Sequence, residues 1–116
     1  MSFLNRKRDG QQAAASVTPA KHMLPDATTI SEVVPRQRVA VCGRVTRMTA
    51  RPTAGQPALA VCISDDSGTV TAVWTGRRAI GGVTLGRRLM VQGVPMIHGA
   101  TLEFTNPDYT LLSRED

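Results

Sequence analysis

A chain of 116 residues has room for one small domain, and its 14 Lys+Arg against 9 Asp+Glu leave a net charge of +5. The hydrophobic fraction of 41% supports one core and excludes wholesale disorder, while two cysteines are too few for a disulfide scaffold or a four-cysteine zinc site. No apolar run approaches the roughly 18 residues of a membrane helix, and Met1 to Arg8 lacks the apolar stretch of a secretory signal, so the expectation is a soluble, cytoplasmic chain with no membrane partner.

Residues 1–29 read as a flexible basic arm. Arg6-Lys7-Arg8 is a short cationic cluster, Gln11 to Ser16 is low in complexity, and Pro19 and Pro25 interrupt the rest of the segment. A brief helix over Gln11–Val17 is one reading, but a lone helix that short is marginal in water. The cluster can tether phosphates or simply solubilise a tail.

From Ile30 the pattern turns to strands, and residues 30–112 read as the folded domain, with 113–116 a tail. Ile30, Val33 and Val34 precede Pro35. Residues 38–48 then alternate, with Val39, Val41 and Val45 on one face and Arg38, Cys42, Arg44 and Thr46 on the other. Gly43 falls on the apolar face, where an interior glycine marks a bulge or a sharp bend. Arg51 to Pro57 is a loop. Ala58 to Ser64 forms a second strand with Leu59, Val61 and Ile63 inward. Asp65-Asp66-Ser67-Gly68 makes a hairpin turn into Thr69–Trp74, a third strand rich in β-branched residues. Gly76 to Val83 is too short and glycine-rich for more than one helical turn. Arg87 to Met96 is a fourth strand with a second interior glycine, Gly93. His98-Gly99 turns into Ala100–Thr105, a fifth strand burying Leu102 and Phe104, which Asn106-Pro107 breaks or bends before Tyr109 to Leu112.

Five short strands, two of them curved, suggest closure into a small barrel, which removes exposed edges. The expected class is all-β: a five-stranded Greek-key OB-fold barrel with a vestigial helix between strands 3 and 4. An SH3-like barrel has a similar strand count, and pattern alone separates the two poorly.

The segments Arg38-Val-Ala-Val-Cys-Gly-Arg-Val45, Ile63-Ser-Asp-Asp-Ser-Gly-Thr-Val-Thr-Ala-Val-Trp74 and Gly86-Arg-Arg-Leu-Met-Val-Gln-Gly93 follow an OB order. They resemble nucleic-acid-binding OB domains of the anticodon-binding type and the wedge domain of RecG-type helicases, whose Pro-acidic-Tyr close is similar to Asn106-Pro107-Asp108-Tyr109. Val73 to Val83 resembles small stand-alone OB proteins of high-GC Gram-positive bacteria. The resemblance covers residues 30–112 and implies single-stranded or junction nucleic acid as ligand. There is one departure. Anticodon-type domains commonly carry a stacking aromatic on the second strand, where this chain has Ala58, Ala60, Cys62 and Ser64.

Sequence-tolerant binding of a single strand needs a cationic groove and aromatic faces. Twelve of the 14 cations are Arg, whose planar fork suits phosphate, although a GC-rich genome also enriches Arg. Arg44, Arg47 and Arg51 run from the first strand into the first loop, a phosphate rail beside the face that OB folds use. Arg77 and Arg78 in the connector extend it, whereas Arg87 and Arg88 sit at the far end of the fourth strand and can miss the groove. Aromatic residues number four: Phe3, Trp74, Phe104 and Tyr109. Alternation places Trp74 inward, unless a bulge turns its indole out to stack beside Arg77. Phe104 and Tyr109 read as packing. His98 can touch phosphate from its turn or merely face solvent. Cys42 and Cys62 face outward on adjacent strands, near enough for a cross-strand disulfide but expected as free thiols in a reducing cytosol. His22 and His98 have no partners at metal-ligand spacing.

No nucleophile elbow, phosphate-cradling Gly-Lys-Thr loop or His-Glu helix motif is present, so neither an enzyme nor a cofactor is expected. The expected activity is non-enzymatic binding of single-stranded DNA or RNA, without sequence specificity and with no small-molecule substrate. The rival is a protein-interaction module, an accessory subunit or homo-oligomer, using the flat face of Ala58, Ala60 and Cys62.

Overall fold

The computed structural model describes residues 17–18 and 26–113. Arg6-Lys7-Arg8 and nearly all of the Gln11–Val17 helix expectation lie outside the described residues, as do residues 114–116 of the tail. Val17 itself opens a strand.

The structure is all-β, as the alternation requires, but the described residues form eight strands rather than five. They are β1 (Val17–Thr18), β2 (Val39–Ala50), β3 (Ala58–Asp65), β4 (Gly68–Thr75), β5 (Arg88–Gly93), β6 (Met96–His98), β7 (Thr101–Thr105) and β8 (Asp108–Leu112). One mixed sheet runs in the order β1-β8-β5-β2-β3-β4-β7-β6. Local chemistry explains the higher count. The expected fourth strand ends at Gly93, because Pro95 cannot donate to a ladder, and resumes as β6. The expected fifth strand stops at Asn106, whose φ of 50° lies in the left-handed region that Asn tolerates. Asn106 holds that break by donating its backbone N–H to Val73 O and accepting the Thr75 N–H on Oδ1.

No helix forms in the connector after β4, where one was expected. Gly76 and Gly82 adopt φ of 77° and 78°, and the segment runs through turns. The helical element among the described residues is instead a 3-10 turn, Ile30–Glu32, at the place where the sequence suggested strand. Asp65 secures it by accepting the Ile30 N–H at 2.9 Å.

β2 is the longest strand and serves two ladders. Residues 39–44 pair antiparallel with β5, and residues 44–50 pair antiparallel with β3. Gly43 sits at this junction for want of space: a Cβ there would lie 2.6 Å from Ser64 O and 2.7 Å from Ile63 Cγ2. β7 pairs parallel with β4, β8 pairs antiparallel with β5, and only Asn106 and Pro107 separate β7 from β8.

The inward residues of these ladders form one core around Val41, Val45, Val61, Ile63, Leu89, Val91 and Phe104. Trp74 and Tyr109 meet edge to face at its margin, ring centroids 5.7 Å apart. Ala40, Met90 and Leu112 make a second, smaller cluster on the outer side of β2, β5 and β8.

Candidate nucleic-acid interface

The outer side of β2 holds the decisive local feature. Arg44 pairs with Ser64 and Arg47 with Cys62, so three steps on β2 match two on β3. Strict alternation would send residues three apart to opposite faces. The extra residue between Val45 and Arg47 is a β-bulge, and it returns Arg47 to the outer side that Arg44 occupies. Both are exposed. Between them Thr46, Ser64 and Thr69 form a chain of hydroxyls, with Oγ separations of 3.3 and 2.8 Å. Arg44 donates from Nη1 to Gly86 O at 2.9 Å, which fixes its direction toward β5.

On that other ladder Arg44 lies directly opposite Arg88. Like charges in this position repel, so the pairing is one that core packing imposes and that surface chemistry would not choose. The sequence weighed Arg88 only as a residue that could miss the groove, because β2 and β5 are joined by no hairpin and their register is a long-range property. The Cys42 thiol reports the same neighbourhood: burial pushes its pKa up, while the Arg88 guanidinium pulls it down. Cys42 pairs with Met90 and Cys62 with Arg47, so the expected cross-strand neighbourhood of the two cysteines does not exist, and both are free thiols.

Arg51 behaves differently from its expected companions. Its Nη2 lies 2.8 Å from Glu103 Oε2. Arg51 follows the end of β2 and hydrogen-bonds through its N–H to Ala58 O, whereas Glu103 stands on β7 and pairs with Thr71 of β4. The ion pair therefore joins the two strands that flank β3 and β4. Ala58, Ala60 and Val73, outward by register and lying between the partners, are buried as a separate cluster. Arg51 is thus half of a neutral pair and no member of an open cationic rail.

The remaining candidates disperse. Trp74 is 6% exposed and donates its Nε1–H to Pro107 O at 3.2 Å, so its indole cannot stack a base, and the alternation that put it inward holds. Arg77 and Arg78 are exposed but follow β4 at the end opposite the Ser64–Thr69 row. Arg77 faces Tyr109, whose phenol donates to Gly81 O at 3.1 Å. Burial pushes that phenol's pKa up, and the Arg77 guanidinium partly offsets it. His98 is exposed on β6, opposite Thr101, at the far edge of the outer side. Arg87 spends Nη2 on Leu112 O.

No family model matches this sequence, and no curated protein matches it. Among solved structures, aspartyl tRNA synthetase from Entamoeba histolytica is similar over 96% of this chain, at a TM-score of 0.62 and 12% identity. This chain spans 27% of that protein's length, and at such identity the likeness is one of fold. No helix among the described residues is long and apolar enough to cross a membrane.

Proposed function

We propose that this chain is an OB-type barrel that binds single-stranded or junction nucleic acid without catalysing a reaction. Barrel closure is part of the proposal. A segment that pairs with β4 through its first half and with β5 through its second supports a sheet that closes at Asn106-Pro107. The order of β2, β3, β4, β5 and β7–β8 supports reading it as a five-stranded Greek key in which β7 and β8 act as one strand. The likeness in fold to part of a tRNA synthetase supports nucleic acid as the class of ligand.

The observation that carries the reading is the bulge, which sets Arg44 and Arg47 on one face with a hydroxyl row between them. Guanidinium forks flanked by hydroxyl donors suit successive phosphates. With no exposed ring on this face among the described residues, affinity rests on phosphates, and base identity has little to act on.

Fluorescence anisotropy with labelled dT20 and rU20 at two salt concentrations tests it. Binding should weaken steeply with salt, and the double variant Arg44→Gln/Arg47→Gln should flatten the log–log slope by about 1.4, roughly 0.7 for each single-strand phosphate no longer neutralised. A wild-type Kd above about 100 µM on both ligands at low salt sinks the proposal.

A second reading has one observation in its favour. β6 ends the sheet order and exposes Met96 and Ile97, the latter at 69%, beside a groove lined by Pro35 and Leu102. An apolar edge strand is a template for pairing with another chain. Light scattering that shows a stable dimer insensitive to the Arg44 and Arg47 changes would favour it.

A further inference from the structure

We infer that Arg51 is a phosphate subsite whose resting occupant is the Glu103 carboxylate, and that Glu103 limits how tightly this face holds a polyanion. The inference rests on the proposed nucleic-acid binding and adds to it a residue that opposes binding.

Four observations lead there. First, one row of the outer side reads Arg47, Cys62, Thr71, Glu103 from β2 to β7, a cation at one margin and an anion at the other with small side chains between. Second, Arg51 joins Glu103 through a single hydrogen bond of 2.8 Å from Nη2, and a guanidinium offers five N–H donors. A phosphate can therefore take over the fork without displacing a two-pronged clamp. Third, the partners differ in freedom. The Glu103 side chain is 11% exposed and stands in a ladder, whereas that of Arg51 is 38% exposed and opens a loop. Arg51 is the partner able to turn away. Fourth, the residues between the partners, Ala58, Ala60 and Val73, are apolar and buried, so their side chains offer a phosphate no donor and leave that to Arg51.

These facts define a competition. In the unliganded chain the carboxylate neutralises Arg51. A nucleic-acid phosphate offers Arg51 a stronger, doubly accepting partner. The exchange leaves Glu103 without its cation, on a face that now also carries phosphate. That penalty is subtracted from the affinity, so removal of the charge at residue 103 tightens binding.

The experiment titrates dT20 and rU20 against the wild type, Glu103→Gln, Arg51→Gln and the double variant Arg51→Gln/Glu103→Gln, with thermal melts confirming that each is folded. Gln keeps the shape of Glu103 and most of its hydrogen-bonding capacity. Glu103→Gln should bind about three- to fivefold tighter at low salt, since an ion pair this near the surface resists exchange by no more than about fivefold. Its salt slope should steepen by about 0.7, as expected when one more single-strand phosphate is neutralised. The double variant should lose both gains, which shows that they pass through Arg51. Wild-type and Glu103→Gln affinities within twofold, at equal slopes, overturn the inference while leaving nucleic-acid binding intact. No binding by any of the four proteins overturns both.

Discussion

The ridge over β2 and β5 and the connector after β4 carry similar charge and are built on opposite principles. On the ridge, Arg44, Arg47 and Arg88 are aimed by backbone ladders, and a bulge and a register bring them to one side of the sheet. In the connector, Arg77 and Arg78 are aimed by turns, and they lie at the other end of β4. Guanidinium groups placed by a ladder share a surface because alternation and pairing bind them to it. Those placed by a loop go where the nearest counter-group is, as Arg51 goes to Glu103. A run of Arg in sequence is therefore weaker support for a binding surface than two Arg on paired strands.

The most severe way to break this contrast is to disturb the junction from which the ridge is built. Gly43→Ala places a Cβ against the Ser64 carbonyl, which is backbone and cannot swing aside. β2 must then leave β3, and the register that sets Arg44 and Arg47 on one face goes with it. The expected cost is about 1–3 kcal/mol, the range for forced overpacking of a close-packed interior. Denaturant unfolding measures it, and oligonucleotide binding should fall in the fraction that remains folded. A melt unchanged from wild type would show that the strand has room the geometry denies it.

Much of the core was legible in the sequence. Alternation placed Val41, Val45, Val61, Ile63 and Phe104 inward, and Trp74 with them, because a half-buried strand writes its inner face at every second residue. The Asp65–Gly68 hairpin was legible for the same local reason. Alternation failed where backbone geometry departs from period two. The bulge near Thr46 left no compositional trace, and Pro95 divided a strand that looked continuous, whereas the break at Asn106-Pro107 was legible. Ile30 packs inward through a 3-10 turn, which the three scattered apolar residues Ile30, Val33 and Val34 cannot distinguish from a strand. The candidate surface fared worse, because it depends on pairing between distant segments. Arg88 opposite Arg44, and Glu103 within reach of Arg51, are 44 and 52 positions apart along the chain. No local pattern encodes contacts at that separation.

A milder test sharpens the contrast by acting beside the ridge without touching its charges. Asp65 closes the hairpin next to the Ser64–Thr69 row. It accepts hydrogen bonds from the Ile30, Ser67 and Gly68 N–H groups and from the Ser67 hydroxyl. Burial pushes its carboxyl up, but these bonds outweigh it and hold the pKa below the ordinary value. A depressed carboxyl contributes stability that is complete above the unfolded value of about 3.9 and disappears as pH falls through the folded one. Asp65→Ala should cost about 0.5–2 kcal/mol at neutral pH, the usual worth of a side chain that caps a helical turn. The gap between variant and wild type should close in acid. Thermal melts from pH 7 down to about pH 2 would follow it, and a gap that persists at the acid end would show that the Asp65 contribution is not ionic.

The smallest expected effect lies in the connector, and its smallness makes it informative. Arg77→Gln/Arg78→Gln removes as much charge as Arg44→Gln/Arg47→Gln, so a binding mode driven by net charge alone would respond equally to both. If position on a ladder decides, the connector pair should alter oligonucleotide affinity by less than about twofold at moderate salt, where charges beyond a Debye length of about 10 Å are screened. One local property should still move. The Arg77 guanidinium opposes the upward pressure of burial on the Tyr109 phenol, so its loss should raise the tyrosine titration midpoint further, as read by ultraviolet difference absorbance. Unchanged binding together with a shifted phenol would show that Arg77 acts on Tyr109 at that end of the sheet, leaving polyanion binding to the ridge. Equal losses from the two double variants would instead mean that the chain responds to a polyanion with its whole charge and without a defined face.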